Sequence, residues 1–127
     1  MKIVQSLGVK SDGLPTPFYY KRTAQGVAIK NAVGKPSGFP RFIKTEEWQG
    51  LLQAIEDLPD EILGVTGTKN SKFTGPKLYD LIKGRFPADD RLCAYISAIL
   101  VHEGTLTAFH GQVPGGLEAR VYLKQSR

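Results

Sequence analysis

Residues 74–124 predict two helices followed by two strands, and this order constrains the fold more than any other feature of the chain. Pro76 lies in the first turn of the first helix, where its missing N–H has no partner to lose. The second helix covers residues 88–103, and Gly104 is placed to end it in the left-handed conformation. Two alternating segments follow, separated by the turn residues Val113-Pro114-Gly115-Gly116.

Residues 76–124 resemble the winged helix-turn-helix family. The resemblance rests on a first helix at 77–85, on the segment His102-Glu103-Gly104-Thr105-Leu106 after the second helix, and on the return strand Arg120-Val121-Tyr122-Leu123. In that family the second helix enters the major groove, and the hairpin, or wing, contacts phosphate or the minor groove. The resemblance implies DNA contacts from the second helix and the wing, at Asp90, Arg91, Ala94, Tyr95, Ser97, Gln112, Arg120 and Lys124.

The first 44 residues predict strands. Residues 17–23 and 26–32 are short runs rich in aromatic and branched side chains, and a loop ending in Gly26 joins them. Residues 41–44 predict a further strand, which leads into a helix capped by Thr45. Apolar residues recur in that helix at helical spacing, and they predict a buried stripe formed by Trp48, Leu51, Leu52, Ile55 and Leu58.

Charge divides the chain into a basic, an acidic and a second basic segment. Residues 1–44 hold eight basic residues and one acidic residue, a net charge of +7. Residues 45–61 hold six acidic residues and no basic residue, and residues 62–127 hold nine basic and five acidic residues. The total of +5, with an isoelectric point near 9.4, favours a polyanionic partner.

The predicted N-terminal hairpin groups aromatic and cationic side chains. Tyr19, Tyr20, Lys21, Arg22 and Lys30 would suit stacking on exposed bases and neutralisation of phosphate. The alternative is an ordinary half-buried hairpin, with aromatic residues toward the core and basic residues toward solvent. The strand-to-helix run at 41–48 is also similar to single-stranded-DNA-binding coactivator domains, over too short a stretch to assign a family.

Composition gives no indication of catalysis. The sequence has one cysteine, Cys93, and two histidines, so it offers no internal disulfide and few zinc ligands. Its carboxylate pairs fall at predicted helix ends, where capping and, at helix N-termini, the helix dipole are reasons for acidic residues. We predict no catalytic residue, cofactor or metal. The sequence lacks the apolar run of a signal peptide and the ~20 apolar residues of a membrane span, so we expect a cytoplasmic protein.

Together these features predict an α+β protein of one compact domain, residues 1–127, in which a basic β-rich segment, 1–44, packs on a winged helix-turn-helix-like unit, 45–127. We expect a non-catalytic DNA-binding protein, either a small transcriptional regulator or a DNA-processing accessory protein. Duplex DNA is preferred over single-stranded DNA in this interpretation, and the family resemblance is compatible with a homodimer on a palindromic site. The predicted nucleic-acid contacts are Lys21, Arg22, Lys30, Lys35, Arg41, Lys69, Lys72, Arg91, Tyr95, Arg120 and Lys124.

The alternative is a winged-helix protein-interaction adaptor, for example in a phage or DNA-processing assembly. The acidic residues 45–61 would be its contact with a protein partner. An acidic start to the second helix, at Asp89 and Asp90, suits that role better than it suits phosphate binding.

Overall fold

A computed structural model describes residues 2–5, 17–32, 40–58, 63, 78–87, 90–111 and 120–125. In chain order these residues form β1 (Lys2–Gln5), β2 (Pro17–Thr23), β3 (Gly26–Asn31), β4 (Arg41–Lys44), α1 (Thr45–Glu56), α2 (Leu78–Lys83), α3 (Asp90–His102), β5 (Leu106–Gly111) and β6 (Arg120–Gln125). Helices and antiparallel strands together confirm the α+β class.

The strands β1 to β4 form an antiparallel meander, here called the N-terminal sheet, in which each strand pairs with the next. The predicted strands β2, β3 and β4 are confirmed. Each contains aromatic or β-branched residues, which favour strands. Ala24 and Gln25 form the turn between β2 and β3. β1 is a strand that the sequence analysis does not single out within the segment 1–44.

Helix α1 starts with a cap that differs from the predicted one. Lys44 occupies the cap position and Thr45 is the first helical residue, which corrects the prediction of Thr45 as the cap. The Thr45 hydroxyl instead donates to the Ala24 carbonyl at 2.9 Å, and the Lys44 backbone N–H donates to the Glu47 carboxylate at 3.0 Å. The predicted apolar stripe is confirmed, with Trp48, Leu51 and Ile55 buried and Leu52 and Leu58 partly buried.

The remaining elements follow in the predicted order. Helices α2 and α3 lie within the predicted ranges 77–85 and 88–103. Gly104 follows α3 with a φ of 84°, in the left-handed region that favours glycine, as predicted. β5 and β6 pair antiparallel and are here called the C-terminal strand pair.

Leu63 connects the chain between α1 and α2 to the C-terminal strand pair. It forms an antiparallel bridge with Leu123 of β6, through reciprocal backbone hydrogen bonds of 2.8 and 2.9 Å. Both leucine side chains are fully buried. The bridge therefore adds a paired residue beside β6 and anchors Leu63 to the core.

Helix α3 lies at the centre of the core. Every residue from 92 to 100 is buried, and β1, α2 and β5 all contact the helix. A helix buried on all sides has no face left to enter a DNA groove. This corrects the prediction that Ala94, Tyr95 and Ser97 contact DNA, because these residues are 8%, 2% and 0% exposed.

Candidate nucleic-acid interface

The register of the N-terminal sheet sorts its side chains onto two faces. Phe18 and Tyr20 of β2 are buried, so Tyr19 and Lys21 lie on the opposite side, because successive side chains of a strand alternate. Cross-strand partners share a face, which extends this side to the neighbouring strands. We name it the outer face and define it by Ile3, Tyr19, Lys21, Ala28, Lys30, Phe42 and Lys44.

Aromatic and apolar groups are exposed on the outer face. The Lys30 Nζ lies 5.2 Å from the centroid of the Tyr19 ring, within the range of a cation–π contact. Phe42 is 51% exposed, and Ile3, which stands opposite Tyr19, is 59% exposed. Ala28 stands opposite Phe42 in β3, and its small side chain leaves the ring accessible from that direction.

Phe42 rests on a glycine of the neighbouring strand. A Cβ atom added to Gly26 would stand 2.9 Å from the Phe42 Cζ and would overlap the Ile43 carbonyl oxygen. Gly26 also has a φ of 154°, which side-chain-bearing residues rarely adopt. Glycine is therefore needed at this position for its backbone conformation and for the close approach of β4, and it lets the Phe42 ring lie against the sheet.

The outer face carries positive charge. Lys21, Lys30 and Lys44 are exposed, and no acidic side chain lies among the outer-face residues that the structure describes. The nearest carboxylates in sequence are Glu46 and Glu47 at the start of α1, and Glu47 accepts the Lys44 backbone N–H. Three lysines on one sheet face favour an anionic ligand.

The inner face of the sheet packs on α3. The Tyr95 ring stacks on Phe18, with centroids 4.2 Å apart and an angle of 14° between the planes. The Tyr95 hydroxyl donates to Asn31 Oδ1 at 2.7 Å. Further along β2, Tyr20 meets His102 edge to face, with centroids 6.1 Å apart. Inward side chains of β2 therefore pack along α3 from Tyr95 to His102.

Glu103 ties the end of α3 to β2. Arg22 Nη1 donates to Glu103 Oε1 at 2.7 Å, and the Tyr20 hydroxyl donates to Oε2 at 3.4 Å. The Arg22 guanidinium also lies 5.6 Å from the centroid of the Trp48 ring. Burial, followed by the charge of Glu103 and its hydrogen bond, raises the pKa of Tyr20, while the charge of Arg22 acts in the opposite direction.

The structure separates the predicted basic contacts of the N-terminal sheet. Lys21 and Lys30 lie together on the outer face. Arg22 belongs to the inner row and is engaged by Glu103. Arg41 also lies in the inner row, opposite Ile29. Its guanidinium donates to the backbone carbonyl of Pro87, which lies between α2 and α3. Two of these four cations therefore stabilise the fold instead of facing a ligand.

The other predicted contacts lie outside this sheet. Arg91 is exposed near the start of α3, and Lys124 is exposed on β6, opposite Thr107. Arg120 is the first residue of β6, and its backbone lies opposite Gly111 of β5. Tyr95 belongs to the core, so the prediction of a base contact there is corrected. The remaining predicted positions fall outside the described residues; they are Lys35, Lys69, Lys72 and the wing residue Gln112.

Phe42 and Lys44 lie on the outer face but are not among the nucleic-acid contacts that the sequence predicts. Alternation along Arg41-Phe42-Ile43-Lys44 puts both on one side of β4, opposite Ile43, and this pattern is the signal that the sequence offers. A strand of four residues does not reveal which of its sides faces the core. The pairing of β4 with β3 supplies that information.

Groups suited to metal binding do not converge in the part of the chain that the structure describes. In those residues no group of three or more His, Cys, Asp and Glu side chains could hold a metal ion. Cys93, the one cysteine of the sequence, is buried in α3. None of the described helices is long and apolar enough to cross a membrane.

No protein-family model matches this chain, and no curated protein or solved structure matches it. The outer face is therefore the feature of the molecule that bears on function.

Proposed function

We propose that this protein binds nucleic acid without catalysis, through the outer face of the N-terminal sheet. One observation carries the proposal: three exposed lysines share a face with the rings of Tyr19 and Phe42, and none of the described residues of that face is acidic. Lysines that neutralise phosphates release counterions, which favours binding. A transcriptional regulator or a DNA-processing accessory protein could use this mode, because neither role needs a catalytic step.

We further propose that the part of the chain from α1 onward is a winged-helix-like unit. The order of α1, the Leu63 bridge, α2, α3 and the C-terminal strand pair supports this assignment, as does the pairing of Leu63 with β6. In such a unit α3 would be the helix that enters the major groove. Residues 92–100 of α3 are buried, however, so we propose that the unit supports the sheet instead of reading DNA.

A protein-interaction adaptor is the second candidate, and the surface of α1 favours it. Glu46, Glu56 and Asp57 are exposed and belong to the acidic segment 45–61. A surface of this charge would attract a basic protein partner. The two candidates predict different ligands for different faces, so one binding experiment separates them.

The test uses two triple variants that lose the same charge. The sheet variant carries Lys21→Gln, Lys30→Gln and Lys44→Gln. The control carries Lys83→Gln, Arg91→Gln and Lys124→Gln, which changes exposed basic residues outside the N-terminal sheet. Fluorescence anisotropy titrations would use short single-stranded and duplex DNA at several salt concentrations. Loss of three phosphate contacts should lower the slope of log K against log salt by about 2 to 3 in the sheet variant.

Each outcome bears on a different surface. A loss confined to the sheet variant supports the outer face. A loss confined to the control would assign binding to the winged-helix-like unit, and equal losses would mean diffuse attraction to a basic protein. An unmodified protein that binds neither DNA at low salt, where attraction is strongest, would refute nucleic-acid binding and leave the adaptor.

A further inference from the structure

We propose that the ligand of the outer face is a single-stranded nucleic acid whose unpaired bases stack on Phe42 and Tyr19. This proposal rests on the proposed function and names its substrate class. It replaces the expectation that duplex DNA is preferred. Three features of the structure support it: the exposure of aromatic side chains, the spacing of the two rings and the burial of α3.

Apolar exposure is concentrated where the lysines are. Ile3 and Phe42 are the exposed large hydrophobic side chains of the described residues, and both lie on the outer face. Phosphate attraction explains the lysines but gives no reason for a half-exposed phenylalanine between them. Bases explain both, because an aromatic ring gains affinity by stacking on the flat face of a base while lysines hold the backbone.

The two rings are spaced for different bases of one strand. Tyr19 in β2 and Phe42 in β4 are separated by β3, and their partners there, Lys30 and Ala28, are two positions apart. With strands about 4.8 Å apart and about 3.4 Å per residue, the two positions are about 12 Å apart. One base cannot cover both rings at that distance. Lys30, beside Tyr19, is placed for a phosphate on the path between them.

A duplex would leave these rings without partners. Its bases are stacked on one another, so it presents phosphates and groove edges to a protein. Groove edges are read by a helix or a strand that inserts, and α3 is covered over residues 92–100. A single strand offers unstacked bases and phosphates together, which matches the composition of the outer face.

The experiment compares four ligands of equal length at one moderate salt concentration: thymidine DNA, uridine RNA, duplex DNA and an abasic DNA backbone. The single strands should bind at least about ten-fold more tightly than the duplex and the abasic backbone. Phe42→Leu keeps the residue apolar but removes the ring, and should weaken single-strand binding by between about 5-fold and 150-fold. Its salt slope should not change, because no charge is lost. Tyr19→Ala removes the other ring and should weaken single-strand binding over the same range. Tyr79→Leu removes a partly buried ring of α2, outside the N-terminal sheet, and serves as the matched control, with affinity close to that of the unmodified protein.

The outcomes distinguish this proposal from the one on which it rests. Equal affinity for the abasic backbone and the thymidine strand, or an unchanged affinity in both Phe42→Leu and Tyr19→Ala, would overturn stacking while salt-dependent binding still supported the outer face. Absence of salt-dependent binding to all four ligands would refute both proposals. Tryptophan fluorescence of Trp48, which is buried, verifies that each variant is folded. The ratio of RNA to DNA affinity then identifies which single strand is preferred.

Discussion

Lys21 and Arg22 are adjacent basic residues of β2 that lie on opposite faces, and we expect the removal of Arg22 to lower stability and the removal of Lys21 to lower nucleic-acid binding. Arg22→Ala removes the ion pair with Glu103, whose partners' side chains are 47% and 25% exposed. A pair as exposed as this contributes about 0.2–1 kcal/mol. The variant also removes the contact of the guanidinium with the Trp48 ring, worth about 0.5–1 kcal/mol. We therefore expect Arg22→Ala to lower the free energy of unfolding by about 1–2 kcal/mol.

For a chain of 127 residues the entropy of unfolding is about 0.27 kcal/mol/K, so this loss corresponds to a Tm lower by about 4–7 °C. Lys21→Ala changes an exposed side chain and should alter stability by at most about 0.5 kcal/mol. Its effect should fall on binding, where loss of one phosphate contact lowers the salt slope by about 0.7 for a single strand. Arg22→Ala should leave that slope unchanged.

The assay measures both quantities on both variants. Thermal unfolding followed by tryptophan fluorescence gives Tm, and anisotropy titrations with a single-stranded oligonucleotide at several salt concentrations give the slope. Arg22→Ala combined with Glu103→Ala should cost less than the sum of the single variants, because the ion pair is shared. If Arg22→Ala lowers the salt slope as much as Lys21→Ala does and leaves Tm unchanged, Arg22 contacts the ligand and does not stabilise the fold.

Three further predictions concern the sheet. Tyr95→Phe keeps the stacked ring but removes the hydrogen bond to Asn31, and should lower the free energy of unfolding in urea by about 0.5–1.5 kcal/mol without changing DNA affinity; weaker binding would mean that the hydroxyl reaches the ligand. Gly26→Ala forces a Cβ atom into the β4 backbone and should destabilise the protein by more than about 1 kcal/mol in thermal unfolding, and an unchanged Tm would contradict the observed approach of the strands. The raised pKa of Tyr20 means that the folded state favours the neutral phenol, so the stability it contributes is present below the ordinary pKa of 10.0 and is lost as the pH rises through the raised value. Denaturant unfolding from about pH 8 to about pH 11 should show a steeper loss for the unmodified protein than for Tyr20→Phe, and parallel curves would reject this linkage.

Local patterns in the sequence predict most of the elements that the structure describes. Aromatic and branched residues identify β2 and β3, and helical spacing identifies α1. Gly104 marks the end of α3, because glycine readily adopts the left-handed conformation that follows a helix. Each of these predictions depends on residues close together in the chain, which is why they succeed.

The face of β2 that packs on the core is harder to predict than the strand itself. Both of its faces carry an aromatic residue and a cation, with Phe18, Tyr20 and Arg22 on one side and Tyr19 and Lys21 on the other. The choice is made by distant residues, because Tyr95 stacks on Phe18 and Glu103 receives Arg22. These contacts join residues far apart in the chain, so they cannot be predicted from local patterns in a single sequence.

The burial of α3 is the second feature that local patterns miss. The apolar stripe of Leu92, Ile96 and Ile99 predicts one buried side, and the opposite side looks available for DNA. That side carries small residues such as Ala94 and Ser97, which are also buried. Small side chains let neighbouring elements approach the helix closely, so they indicate a covered face as well as an exposed one.

The energy of the sheet–helix contact decides between the two surfaces that could bind nucleic acid. For α3 to enter a groove, the N-terminal sheet would have to move and expose Phe18, Tyr20 and Tyr95. Each large side chain taken out of the core costs about 1.5–3 kcal/mol, so the three rings alone cost about 5–9 kcal/mol. The whole folding free energy of a domain is about 5–15 kcal/mol, so this opening would approach global unfolding. The outer face needs no such change, because Phe42 and its neighbouring lysines are already exposed. A ligand therefore reaches the sheet at far lower cost than it could reach α3.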